Sequence, residues 1–303
     1  MAALERIFDY LEANDIRMYR FASGLAPYAS HPELPQFHDQ VSRCSEELAR
    51  LGELARTRDL RLSSHPGQYT VLNSEDPVVR SSAVAEIEVQ AAIMDAMGLG
   101  AEAVVVLHVG GLAGGVTTAG DRFLAGFEQL SDAGRARLVL ENDDRSFGLA
   151  DVLALSGRTG TRVVWDVLHH HCHDPAGIPE GEALRLASAT WPATCTPKIH
   201  YSSPRLDVGE RRVRQGRHVA RQLVLPQLRA HADLVDPLGF ERFIRDVGGG
   251  QDFDVMLEAK AKDLALLRLR AQLETRGLRS EAGRLHVSAH DRPPRRRGLV
   301  EAP

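Results

Sequence analysis

The chain has 303 residues, with 37 Lys and Arg against 41 Asp and Glu and 43% hydrophobic residues. That is enough for a substantial core in one large domain or two ordinary ones. A formal net charge of −4 excludes a generally basic nucleic-acid coat protein, although phosphate binding depends on a local patch and not on the sum. Cys44, Cys172 and Cys195 form no CxxC pair, which argues against a disulfide scaffold or a cysteine-rich zinc module and for a reducing compartment. No run of 18 apolar residues exists, and the first twenty residues carry acids where a signal peptide would carry bases; a cytoplasmic protein without a membrane partner is expected. The one surplus is histidine, at 13.

In chain order, the hydrophobic pattern predicts a helix over 2–14 and a strand over 17–20. A helix over 41–56 leads to a strand over 61–64, which stops at His65. A helix over 81–97 and a strand over 103–107 stop at His108, and a helix over 121–129 and a strand over 138–140 at Glu141. A helix over 149–156 and a strand over 162–165 precede Asp166, a helix over 181–189 and a strand over 197–199 precede His200, and a strand over 253–257 precedes Glu258. Short apolar runs read as buried strands, and their alternation with helices predicts a parallel sheet. An open doubly wound sheet would gather its functional groups at one switch point. Polar residues closing almost every strand predict instead an α/β fold of the TIM (β/α)8 type, with its site at the strands' C-terminal ends.

Such a barrel begins with a strand, whereas this chain begins with a helix, so the first N-terminal strand is expected to be absent. A start codon placed too late, a trimmed chain and another element filling the gap all remain open. One barrel domain is expected over 1–278, followed over 279–303 by a basic tail without regular structure, because Pro293-Pro294 and Arg295–Arg297 accompany little apolar periodicity.

The strand-end residues His65, His108, Glu141, Asp166, His169, His200 and Glu258, with His231 in HADLVD, combine imidazole and carboxylate without thiolate. That set suits Zn²⁺ or Mn²⁺, and carboxylates shared by several metals suit phosphoryl hydrolysis. Any one of these histidines alone reads better as a hydrogen-bonded core residue. Together they would be costly in a barrel mouth unless paired or metal-bound. Within His169, His170, His171, Cys172 and His173, only His169 lies three residues from Asp166, a spacing that turns both toward one centre. Lys198 shares a strand face with His200. A protonated lysine there would repel metal, so it is neutral, carbamylated, turned away, or a phosphate-binding lysine. In HPGQY the Pro-Gly turn exposes Gln68 and Tyr69, an arrangement that can wedge into a base stack. Arg205, Arg211, Arg212, Arg214, Arg217 and Arg221 crowd the stretch after His200 and read equally as a polyanion contact or a solvated helix face.

The blocks RFASGLAPYASH, SSHPGQYTVLNS, VVLHVGG, LENDD, WDVLHHHCH, PKIHYSSPR, HADLV and DVMLEAKAKDLAL resemble, in this order, those of the UV damage endonuclease family. The resemblance implies a TIM barrel similar to endonuclease IV and a divalent metal cluster, Mn²⁺ before Zn²⁺ or Mg²⁺. It also implies a DNA repair activity that nicks double-stranded DNA immediately 5′ of cyclobutane dimers and 6-4 photoproducts, leaving a 3′-OH. By the same resemblance the metal ligands fall on His65, His108, Glu141, Asp166, His169, His200, His231 and Glu258. His31 looks like a further ligand or phosphate contact, Lys198 matches a lysine that can be carboxylated, and Gln68 and Tyr69 match the pair that fills the gap left by an extruded lesion. Arg205, Arg211, Arg212 and Arg214 are expected DNA contacts, and a nucleoid-associated monomer is expected. Two departures stand out: the family's opening strand RLGYxxxN is lacking, and the segment 206–229 is longer than the family pattern. The alternatives are an abasic-site endonuclease of the endonuclease IV type, a sugar isomerase-type barrel, and a non-catalytic damage-binding barrel.

Overall fold

The computed structural model describes residues 2–215, 218–248 and 250–287. The chain divides into two compact units, Met1–Tyr201 with Phe253–Met256, and Ser202–Asp252 with Leu257–Pro303. Residues expected to share one domain over 1–278 are therefore described in two parts.

The first unit is a near-closed parallel barrel. Its strands are β1 (Met18–Phe21), β2 (Arg61–Ser64), β3 (Val104–His108), β4 (Leu138–Glu141), β5 (Arg162–Asp166) and β6 (Lys198–Tyr201), and β9 (Asp254–Leu257) completes the sheet beside β6. The order β1-β2-β3-β4-β5-β6-β9 leaves β1 and β9 as its two edges. These seven strands fall within a residue or two of the sequence expectation, and an eight-stranded closure is not formed among the described residues.

Register sorts the interior into layers, because neighbours paired in parallel strands point the same way. Val106 pairs with Val139 and His108 with Glu141, while Val139 pairs with Arg162, Glu141 with Val164 and Asp166 with His200. Val104, Val106, Val139 and Val164 stand at successive levels and form an apolar cluster that packs on Trp191, with Cys195 beside it. Trp191 plugs the N-terminal end, with Arg162 and Arg61 guanidinium carbons 5.0 and 5.2 Å from its ring centre and Arg61 ion-paired to Asp254 at 2.5 Å. Above the valines, at the C-terminal ends, the same face carries histidine and carboxylate. The barrel is a filled core with a polar rim, not a pore.

Helices cover the outer face. Gly52, in the helix Ser45–Thr57, lies so close to the end of the next helix that a Cβ would stand 1.7 Å from the Met97 carbonyl oxygen, so the contact needs glycine. The helix Pro77–Ala96 starts at Asp76, whose carboxylate accepts the Val78 N–H at 2.8 Å, with proline at the first helical position.

In the second unit, β7 (Gly209–Gln215) and β8 (His218–Val224) form an antiparallel hairpin where a solvated helix face was one expectation. β10 (Arg279–Glu281) and β11 (Arg284–His286) form another. This second hairpin corrects the expectation of an unstructured tail from 279: Ala282 and Gly283 both adopt positive φ and turn the chain back on itself. The remainder of that expected tail, 288–303, lies outside the described residues.

Candidate metal centre

Four strand ends of the barrel deliver their side chains to one carboxylate. Glu141, the last residue of β4, is completely buried. His65 Nε2 and His108 Nε2 each lie 3.1 Å from its Oε2, and His200 Nδ1 lies 2.9 Å from its Oε1. His169 Nδ1 is 3.6 Å from Oε1. The imidazoles pack on one another, with ring centres 5.3 Å apart for His65–His108 and for His108–His169, and 6.1 Å for His65–His200.

Burial by itself pushes the Glu141 carboxyl up, but the imidazoles of His200 and His108 outweigh it and hold the group well below the usual carboxylate range. Glu141 stays an anion. Its Oε2 makes no hydrogen bond of acceptable geometry among the described residues, although two ring nitrogens face it. Nitrogen lone pairs and a carboxylate oxygen converging on one point need a shared proton or a cation between them. His65, His108 and Glu141 offer ligand atoms within 4.8 Å of one another, and so do Glu141, Asp166 and His200. This buried acid and histidine cluster can bind a metal.

The backbone fixes the cluster from behind. Asp166 caps the short helix Val167–Cys172, accepting the His169 N–H at 2.7 Å, which is why residues three apart face the same way. His169 Nδ1 meets the Asn142 carbonyl at 3.0 Å. A ring nitrogen facing a carbonyl carries the proton, which fixes the tautomer and the orientation of the ring. Asn142 also clasps β5: its Nδ2 donates to the Asp166 carbonyl at 3.0 Å and its Oδ1 accepts the Asp166 N–H at 2.9 Å. Sequence reasoning passed over Asn142, although it stands inside the LENDD block. The other members of the histidine run are used elsewhere: His170 packs against Trp165 and bonds the Ile178 carbonyl, and exposed His171 pairs with Glu180.

Lys198 enters the barrel interior on the His200 face of β6 and is 1% exposed. Its Nζ has no hydrogen-bond partner among the described residues. Burial first, then the charges of Arg61 and Arg20, push the amine well below the ordinary lysine range, with Glu141 and Asp254 pulling the other way.

His231 and Glu258 belong to the second unit. His231 Nδ1 bonds Ser202 Oγ at 2.7 Å and its Nε2 lies 3.5 Å from Glu258 Oε2, so Ser202 sets this ring as Asn142 sets His169. His31 sits on an exposed turn, its Nδ1 accepting the Glu33 N–H at 3.2 Å, and is not a member of the ligand groups above. Gln68 and Tyr69 project from a turn closed by Thr70 N–H on the Gly67 carbonyl at 2.9 Å. Tyr69 is 84% exposed. Arg205 emerges below the β7–β8 hairpin, and Arg211, Arg212, Arg214 and Arg221 are exposed on it; Arg217 lies outside the described residues.

The sequence profile of the UV-endonuclease UvdE family matches residues 1–285. The chain belongs to that family. Among UvdE relatives, the UV DNA damage endonuclease of Bacillus cereus (strain G9842) is 30% identical over 281 residues, covering 92% of this chain and 82% of its own. That of Bacillus velezensis is 32% identical over 285 residues with the same coverage. The crystal structure of SacUVDE superposes with a TM-score of 0.75 at 31% identity, covering 90% of this chain and 85% of that one. An AP endonuclease, family 2, from Brucella melitensis (TM-score 0.50, 11% identity, 90% and 92% coverage) and a 3-keto-D-glucoside 4-epimerase from E. coli (TM-score 0.53, 13% identity, 90% and 94% coverage) share the TIM-barrel fold. Among the described residues no helix is long and apolar enough to cross a membrane. Membership makes this UvdE chain a UV DNA damage endonuclease by family and DNA its partner.

Proposed function

We propose that the chain is a metal-dependent DNA repair endonuclease that nicks damaged duplex DNA immediately 5′ of cyclobutane dimers and 6-4 photoproducts, leaving a 3′-OH and a 5′-phosphate. The observation that carries this reading is the buried Glu141 carboxylate with His65, His108 and His200 within about 3 Å of its oxygens. The ligands would be His65, His108, Glu141, Asp166, His169 and His200, joined by His231 and Glu258, with Mn²⁺ the expected metal ahead of Zn²⁺ and Mg²⁺. When bound, such cations stabilise phosphodiester charge and acidify water.

The chain's own residues do the rest. Asn142 and Ser202 hold His169 and His231 by their Nδ1 atoms and so fix the orientation of both rings. Gln68 and Tyr69 would fill the stack when the damaged dinucleotide leaves it, and damaged bases unpair at lower cost than intact ones. Lys198, whose burial disfavours the protonated amine, would in its neutral form add to carbon dioxide: a C–N bond forms, a C=O π pair moves to oxygen, and the amine proton leaves to solvent. The resulting carbamate would offer an oxygen ligand in place of a repelling cation. His31 would serve as a further ligand or phosphate contact, and the working form would be a cytoplasmic, nucleoid-associated monomer.

The test is nicking by the Mn²⁺-loaded protein of duplexes carrying one thymine dimer, one abasic site or no lesion. Cleavage 5′ of the dimer with a 3′-OH product is expected. A folded, metal-loaded protein that leaves the dimer strand intact overturns the reading, and cleavage at the abasic site alone replaces it with an abasic-site endonuclease.

A further inference from the structure

Between His200 and His231 the chain builds a ribbon that the metal centre does not use. Its stem is fixed in the second unit: the Arg205 N–H donates to the Ala230 carbonyl at 2.8 Å, the Ala232 N–H to the Ser203 carbonyl at 2.9 Å, and Pro204 bridges His231. Beyond the stem, β7 and β8 pair from Gly209 with Val224 to Gln215 with His218. Every described side chain of the two strands is exposed except Val213 and Ala220, which are half-buried and pair with each other. A two-stranded hairpin with no layer packed on it is marginal in water, and its open edges and faces are available to a partner.

The pairing sorts its charge. Side chains directly across an antiparallel pair share a face and alternate along the strand. Arg212 pairs with Arg221 and Arg214 with Val219, next to Glu210 and Leu223, so three arginines crowd one face. The single acid there, Glu210, meets Arg221 at an exposed 3.4 Å. Arg211 stands on the opposite face. Helical spacing of 214, 217 and 221 would have put these groups on a solvated helix stripe; the ribbon concentrates them on an arm instead.

We infer that this hairpin is a DNA-gripping arm whose Arg212, Arg214 and Arg221 face lies on the phosphates of the duplex. The inference rests on the endonuclease reading and extends it to a surface outside the metal centre. Seven residues per strand at about 3.4 Å each give an arm of roughly 20 Å, enough to follow several phosphates, and a two-stranded ribbon fits the width of the major groove. Guanidinium forks match phosphate oxygens in pairs. A second copy of the chain fits worse, because joining two such ribbons by the same face would set arginine against arginine.

The test uses the full chain without divalent metal, so that binding is read without cleavage. Anisotropy of a labelled duplex with one thymine dimer is followed against salt for the wild type, the Arg212→Gln, Arg214→Gln, Arg221→Gln triple variant, and a variant in which a Gly-Ser turn replaces 209–224. Both variants should lower the slope of log affinity on log salt by about 2 to 3, because each lost phosphate contact removes about 0.9. They should weaken binding about tenfold or more at moderate salt, and equally on undamaged duplex. An unchanged slope in both variants overturns the arm. So does a wild-type dimer that Leu223→Ser dissociates without altering the slope, which would make the ribbon a protein interface. A wild type that neither binds nor nicks the dimer duplex fails the endonuclease reading itself, whereas normal nicking with an unchanged slope fails only the arm.

Discussion

Lys198→Met tests the barrel interior most directly, because it keeps the length of the side chain and removes only the amine. Lys198 is 1% exposed, and its Nζ is without a hydrogen-bond partner among the described residues. The unfolded lysine titrates near 10.5, and burial lowers the folded group well below that, so the unfolded chain binds the proton more readily. Stability therefore rises with pH across the interval between the lowered folded pKa and 10.5, and levels off above it. A neutral buried amine with no partner costs about 1–3 kcal/mol at any pH. In urea unfolding of metal-free protein in buffer freed of carbon dioxide, Lys198→Met should therefore be more stable than wild type at pH 7, by more than the partner-free amine alone costs. Near pH 10.5 the gap should narrow to about 1–3 kcal/mol. Added bicarbonate should stabilise the wild type and leave the variant unchanged. A variant less stable than wild type at pH 7, or a gap that does not narrow with pH, refutes the argument that burial disfavours the protonated amine.

Glu141→Gln removes the carboxylate charge that His65, His108 and His200 all face while preserving shape; metal content by elemental analysis should fall below one ion per chain and nicking by about a thousandfold or more. Gln68→Ala with Tyr69→Ala should leave metal content intact and weaken preference for dimer over undamaged duplex by about 2–4 kcal/mol, read from competition binding; unchanged preference counts against the wedge. Gly52→Ala should lower stability by about 1–3 kcal/mol in urea titration, since its Cβ would meet the Met97 carbonyl oxygen at 1.7 Å; a neutral effect would mean that the two helices separate freely.

The barrel was legible because its physics writes itself into short spans. A strand buried on both faces must be apolar throughout, and a site at the strand ends must break that run with an ionisable residue; Val104–Leu107 followed by His108 is such a span. The histidines and carboxylates that gather around Glu141 follow the same pattern, each standing at or just past a strand end. The β7–β8 hairpin was not legible, since it has no buried face and hence no period-2 alternation of apolar residues, while its arginines happen to fall at helix-like intervals. The helix Asp263–Glu274 was legible only as a block of the family resemblance. Asn142 escaped for another reason: its partners are the backbone of Asp166, and backbone contacts leave no complementary residue in the sequence to find.

Asn142 also explains how short strand ends hold this cluster in a fixed geometry. Glu141 and His108 are set side by side by the register of β3 and β4, and Asp166 and His200 by that of β5 and β6. What the register of β4 and β5 leaves open is the spacing at their tips, because Glu141 pairs with Val164 and Asp166 lies two residues further on. The paired bonds of the Asn142 amide to the Asp166 backbone close that gap, and the Asn142 carbonyl then orients His169. Both groups are therefore positioned by the chain itself, and a cation bound there would spend little of its free energy on ordering them. One amide ties together two halves of the centre that β-sheet pairing alone leaves independent.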